Sequence, residues 1–197
     1  ARLHDVGEVG GQLYVVSDLA PGRSLDQILV REGPLAPEVS LRIAAQAAHA
    51  LDYAHRSGLC HGDPKPTNVI VSSDGHVTLT DFGLAWLADA MVRSGARGTP
   101  AGPAFVAPER IAGKYVTAAA DRYAFGGLLF ELLTGQRPPR QSWALTGLRN
   151  RGGLLLPRAS SLRPGLPPAL DDVLARALAA DPAARYGSCS DIVLAAA

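Results

Sequence analysis

Several features are missing from this 197-residue chain, and each absence removes a class of protein. No apolar run comes near the roughly 20 residues that a membrane-spanning helix needs. There is no excess of one charge: 19 Lys and Arg face 18 Asp and Glu, a net charge of +1, which gives no reason to expect nucleic acid or an anionic membrane as partner. Only two cysteines occur, Cys60 and Cys189, far apart in sequence. They make neither a disulfide framework nor a zinc-binding spacing, and read as small buried hydrophobes in a reducing compartment. The start, ARLHDVGEV, has neither an initiator Met nor a basic, apolar leader, and DIVLAAA ends as if inside a helix. Both ends read as cuts from something longer. What is present is apolar material: 47% of the residues are hydrophobic, enough for a core and against a disordered chain.

The patterning predicts a mainly α chain with two small β-hairpins near its front. LHDVGEVGGQLYVVSDL reads as the first hairpin, with Gly10-Gly11 at the turn and strand formers in QLYVV. Pro21 and Gly22 break that pattern, and a short helix is expected from Ser24, its N-cap, to about Val30. From Pro37 to about Arg56 the chain is helical, with Val39, Ile43, Ala47, Leu51 and Ala54 on one apolar stripe and Gly58 as the stop. NVIVSSDGHVTLTD is the second hairpin, turning at Asp74-Gly75. Between Asp81 and Thr117 the Gly, Ala and Pro content predicts a long loop. AADRYAFGGLLFELLTG is apolar nearly all round, which implies a helix in the domain centre ended by Gly135. A Pro- and Arg-rich connection follows, with one short helix expected around Trp143, and then two helices, ALDDVLARALAAD and SCSDIVLAAA.

Chemistry concentrates in HGDPKPTNVIV, His61 to Val71: an acid, a lysine and an asparagine within six residues, followed by β-branched residues. Alone, such a cluster can be ordinary loop dipeptides and solvated charge. Here it sits between a long helix and a hairpin whose second strand ends in Asp81-Phe82-Gly83, and Ala107-Pro108-Glu109 follows. In that order and spacing the three motifs form the protein-kinase signature set. The chain resembles the bacterial eukaryotic-like (Hanks-type) Ser/Thr protein kinases nearly end to end. GEVGGQLYVVSDLAPGRSL is similar to that family's last N-lobe strands, hinge and following helix, DRYAFGGLLFELLTGQRPP to its central helix, and LRPGLPPALDDVLARALAADPAARY to its late helices.

The resemblance implies a kinase C-lobe over 20–197, with catalytic loop 61–68, activation segment 81–109 and central buried helix at about 118–134. Residues 1–19 would be a remnant of the N-lobe and hinge. It implies ATP and Mg²⁺ as cofactors and a protein Ser/Thr substrate, in a cytoplasmic setting that includes the cytoplasmic domain of a membrane-anchored protein. Asp63 would orient the substrate hydroxyl and accept its proton, and Lys65 would meet the transferring γ-phosphoryl group. Asn68 and Asp81 would hold Mg²⁺ as hard oxygen ligands. Asp18 and Ala20 would offer backbone groups to adenine beside a gatekeeper Ser17, and Ile70 joins the nucleotide-contacting set. Val16 and Leu19 read equally well as core. His61 is expected as a packed, hydrogen-bonded core residue, Phe82 as a core plug, Trp86 and Trp143 as packing. Glu109 and Arg185 are expected as a buried ion pair, and Asp121 as acceptor for the catalytic-loop backbone.

The departures carry expectations too. Gly62 stands where many kinases have an arginine that reads an activation-loop phosphate, so phosphorylation at Thr99 or Ser94 is not expected to be the main on-switch. Pro64 replaces a leucine, restricting Asp63 and removing an N–H. GTPAGPAFVAPE puts Gly102 where the family has threonine, with Thr99 three residues earlier. The Gly-rich loop, strand lysine and its glutamate fall upstream of Ala1 in the family, so negligible activity is expected of residues 1–197 alone. Two other readings stand beside the kinase: a pseudokinase or scaffold module, and a small-molecule phosphotransferase. The latter is suggested by His61-Gly62-Asp63 and opposed by Lys65, DFG and APE.

Overall fold

The computed structural model describes residues 3–10, 12–84, 104–139 and 156–197. Strands β1 (Leu3–Val9) and β2 (Gln12–Ser17) form the expected antiparallel hairpin, with Val6 opposite Val15 and Gly7 opposite Tyr14. Both of its faces carry exposed apolar side chains: Val6, Val9, Tyr14, Val15 and Val16. Val16 and Leu19 are therefore not core here, and Leu19 is 93% exposed.

The second sheet is larger than the sequence suggested. A two-residue strand, β3 (Arg23–Ser24), adds to β4 (Val69–Val71) and β5 (Val77–Leu79) in the order β3-β4-β5. Gly22 allows it. At φ 130, a Cβ there would lie 2.3 Å from the Val71 carbonyl oxygen, so only glycine lets the two backbones meet. Such a close approach depends on tertiary contact and has no local periodicity, which is why Pro21-Gly22 read only as a breaker.

Helix α1 (Leu25–Glu32) starts at Ser24 with a capping box: Gln27 N–H donates to Ser24 Oγ, and Ser24 N–H to Gln27 Oε1. It runs slightly past Val30. Helix α2 (Pro37–Arg56) has Pro at its first turn, and buries Ile43, Ala44, Ala47, Ala48, Leu51 and Ala54. Gln46 clamps the sheet to it, donating to the Gly75 carbonyl and accepting from Val77 N–H.

Two short helices lie where the sequence suggested loop or connection, α3 (Pro108–Ile111) and α5 (Ala159–Leu162), each too short for a periodic signal. The central helix α4 (Ala118–Thr134) is capped by Thr117, whose Oγ1 accepts from Ala120 N–H, and ends at Gly135 in the left-handed region. Tyr123, Phe125, Leu128, Leu129, Phe130, Leu132 and Leu133 are fully buried on it. The Phe and Leu side chains each contribute about 1.5–3 kcal/mol of transfer free energy. Helix α6 (Ala169–Ala177) packs on α4 where Gly126 faces Ala177, and α7 (Cys189–Ala196) packs on α2. Asp52 of α2 caps α7, accepting from Cys189 N–H (2.8 Å), Ser190 N–H (2.9 Å) and Ser190 Oγ (2.6 Å). The fold is mainly α with two small antiparallel sheets, as the patterning implied. No helix among the described residues is long and apolar enough to cross a membrane. The helix expected around Trp143, together with Trp86, Ser94, Thr99 and Gly102, lies outside the described residues.

Candidate active site

The loop 61–68 leaves α2, turns through a 3₁₀ turn (Pro66–Asn68) and enters β4. It is held from below by one carboxylate. Asp121, in the first turn of α4 and 1% exposed, accepts from His61 N–H at Oδ2 and from Gly62 N–H at Oδ1, both at 2.7 Å. Its Oδ2 also meets His55 Nε2 at 2.8 Å. Two loop amides and an imidazole thus converge on a residue 59 to 66 positions away in sequence. Sequence reasoning anticipated the amides and missed His55, whose only sequence signal is a polar ring near the end of an apolar-faced helix.

Gly62 sits at φ 88, a backbone region where side-chain-bearing residues are strained. That gives a local conformational reason for glycine at this point. Pro64 is buried, so its ring fills space in place of the leucine side chain.

Asp63 and Lys65 face each other, with Lys65 Nζ 2.5 Å from Asp63 Oδ2, both partly buried. Burial pushes the Asp63 carboxyl above its ordinary value, and the Lys65 ammonium opposes that rise. Asn68 donates from Nδ2 to the Asp63 backbone carbonyl at 3.0 Å. That bond fixes the amide so that Oδ1 is its remaining donor atom toward a cation; among the described residues it accepts only a long bond from Thr67 Oγ1, at 3.3 Å. Thr80, one residue before Asp81, bonds the Asn68 carbonyl through its N–H at 3.0 Å. Gly83 N–H returns to the His61 carbonyl at 3.1 Å. Asp81 therefore emerges beside the loop, exposed, and its charge reaches both Asp63 and His61. It is the one non-glycine residue with positive φ (63) among those described. Strain of this kind costs about 1–3 kcal/mol and concentrates where a side chain must be aimed.

His61 is fully buried, accepting at Nδ1 from Asp63 N–H (3.3 Å), while Nε2 has no partner among the described residues. Burial holds its pKa below the ordinary value despite Asp121, so the ring is neutral. Phe82 stacks on it at 4.4 Å between centroids but is 40% exposed, so it covers His61 rather than plugging a core. Ile70 lies on β4 opposite Ser24 and Thr78, half-buried. Asp18 and Ala20 lie in the connection between β2 and β3. The Asp18 side chain meets His4 Nε2 at 2.5 Å across the first hairpin.

A second polar cluster ties α3 to the C-terminal part. Arg185 forms a two-pronged pair with Glu109, Nη1–Oε1 at 2.7 Å and Nη2–Oε2 at 2.8 Å, and lies over the Tyr123 ring at 4.8 Å. Burial works to raise the Glu109 carboxyl, and the Arg185 hydrogen bonds and charge overcome it, so it sits below the ordinary value.

Known proteins resemble this sequence. The family described as protein kinase domain matches residues 1–193. The serine/threonine-protein kinase PknE of Mycobacterium tuberculosis is 41% identical over 194 residues, which is 98% of this chain and 34% of that protein. PknH of the same species is 41% identical over 195 residues, 98% of this chain and 31% of its own length. PknD is 40% identical over 198 residues, 98% and 29%. The chain thus spans about a third of the length of these curated relatives.

Proposed function

This chain belongs to the protein kinase domain family, and from that premise we propose that the protein transfers the γ-phosphoryl group of ATP to serine and threonine hydroxyls of proteins. The observation that carries the reading is the joining of Asp63, Lys65 and Asn68 by direct hydrogen bonds in a loop anchored on Asp121. Phosphoryl transfer passes through a loose transition state, so catalysis is positioning and charge neutralisation. Asp63 is the proton acceptor and orients the substrate hydroxyl; its partly buried carboxyl, raised toward neutrality, suits that role better than a free surface acid. Lys65, paired with Asp63 in this state, turns its ammonium to the γ-phosphoryl oxygens. Asn68 Oδ1 and the Asp81 carboxylate are two hard oxygen donors, a set that fits Mg²⁺, which takes one or two protein oxygens and the phosphates. The bound ion would supply charge neutralisation at the phosphates.

On this reading, residues 1–19 are the last strands and hinge of the nucleotide-covering lobe, and 20–197 the substrate-side lobe. The apolar side chains exposed on both hairpin faces support the division, since a further layer would cover them. Asp18, Ala20 and Ile70 line the adenine side. Gly62 supplies no guanidinium to a phosphate on the activation segment, so phosphorylation there is not the principal switch.

The test is Mg-ATP-dependent labelling of a generic protein substrate by the full-length protein, wild type against Asp63→Asn. Transfer to serine and threonine is expected, with Asp63→Asn slower by roughly 10²–10⁴-fold. Equal labelling by both proteins, or none by either, would sink the proposal.

A further inference from the structure

Beneath the loop 61–68 its anchor, Asp121, stands beside two side chains to which phosphoryl transfer gives no role. His55 at the end of α2, Cys60 in the turn that follows and Asp121 on α4 each offer one ligand atom, and the three atoms lie within 4.8 Å of one another. His55 belongs to a second such triad with Asp52 and Cys189. The two differ in availability. Both Asp52 oxygens are engaged in capping α7, and Cys189 is fully buried. Cys60 is only half-buried, against the fully buried Cys189.

We propose that His55, Cys60 and Asp121 form a site for a soft divalent cation of the zinc class, and that its occupancy constrains the catalytic loop. Tetrahedral zinc with N and O ligands at about 2.0 Å separates them by ~3.3 Å. His55 Nε2 and Asp121 Oδ2 are 2.8 Å apart, so the ion needs about half an ångström of opening at the position now held by their shared proton. A sulfur ligand at about 2.3 Å stands ~3.5 Å from its neighbours, so the Cys60 Sγ closes in by up to about 1.3 Å. Protons balance simply. Cys60 gives its thiol proton to water, and a neutral imidazole shifts its proton from Nε2 to Nδ1. The ion's two charges are then met by one thiolate and one carboxylate, with no redox step. Asp121 keeps Gly62 N–H on Oδ1 and a second lone pair of Oδ2 for His61 N–H. The thiolate selects against Mg²⁺, which favours oxygen ligands.

The functional consequence rests on the phosphotransfer reading; the site itself does not. Cys60 directly precedes His61, and a shift of about 1 Å in a catalytic group can cost ~10²-fold in rate. The full-length protein is titrated with Co²⁺, and the thiolate-to-cobalt charge-transfer band in the near ultraviolet is followed. One equivalent of band is expected in the wild type and in Cys189→Ser, lost in Cys60→Ser, and displaced by zinc. No band in the wild type, a band undiminished in Cys60→Ser, or one lost in Cys189→Ser overturns the site. Zinc is expected to lower phosphotransfer in the wild type and not in Cys60→Ser; a cobalt band together with zinc-insensitive transfer overturns the coupling. A band from a protein that shows no transfer at all supports the site and counts only against the kinase reading.

Discussion

Replacing Arg185 with methionine isolates what its ion pair does. The Arg185 side chain is fully buried and the Glu109 side chain 8% exposed. Arg185 also donates to the carbonyls of Ala119 (2.8 Å), Ala179 (2.8 Å) and Ala180 (3.2 Å). Methionine fills much of the volume and removes every donor, stranding the Glu109 carboxylate; losing one partner of a buried pair costs about 3–5 kcal/mol. The stranded acid can escape by taking a proton. Holding it protonated costs about 1.4 kcal/mol for each pH unit above its unfolded value of about 4.3, hence ~4 kcal/mol at pH 7 and ~1 kcal/mol at pH 5. The sign follows from the direction of each shift. In the wild type the Glu109 pKa is lowered, so its contribution is present above the unfolded value and is lost as pH falls through the folded one. In Arg185→Met the largest opposition to burial is gone, leaving a backbone hydrogen bond and the Lys114 charge, and the pKa rises, so the deficit grows as pH rises above the unfolded value. Urea unfolding of the full-length protein's catalytic domain, followed by circular dichroism, should show a loss of about 4 kcal/mol at pH 7 that shrinks by more than half at pH 5. Adding Glu109→Leu should restore most of it. A loss under about 1 kcal/mol at pH 7, an equal loss at both pH values, or no recovery in the double variant would refute the reasoning.

The remaining predictions concern the loop anchor and the core. Asp121→Ala leaves the His61 and Gly62 amides unsatisfied and should cost about 2–4 kcal/mol in denaturant unfolding, with slower phosphotransfer from a released loop; unchanged stability would show that water or another group can hold the loop. Gly126→Ala sets a Cβ 2.9 Å from that of Ala177 and should destabilise by about 1–3 kcal/mol, read as a lower urea midpoint at unchanged slope. A stabilised Gly126→Ala variant would show that α4 and α6 can separate freely.

Much of the fold was legible because its signals are local. Pro37, the apolar stripe of α2, Ser24 as a cap and Asp74-Gly75 as a turn all act within a few residues. So does the all-round apolar α4, which can only be buried. The candidate site was legible for a different reason. The proposed chemistry needs an acid, a cation and two oxygen donors, and the spacing of Asp63, Lys65, Asn68 and Asp81 could be matched to a pattern. Less legible were features made by distant partners. Strand β3 is two residues long and exists because β4 lies beside it. Phe82 was expected in a core and instead covers His61 from a half-exposed position. Pro64, a restriction when read along the chain, is a buried ring in the folded protein.

The sequence by itself determined the mainly helical architecture, the family and the residues able to do chemistry, because helix periodicity, capping and motif spacing are written in neighbouring residues. Only the tertiary structure decided that one buried carboxylate, Asp121, carries two loop amides and an imidazole. It also decided that Asp81 adopts a left-handed backbone and that Cys60 lies beside His55 and Asp121. Those are facts of convergence between α2, the loop and α4, and packing those elements together is what creates them.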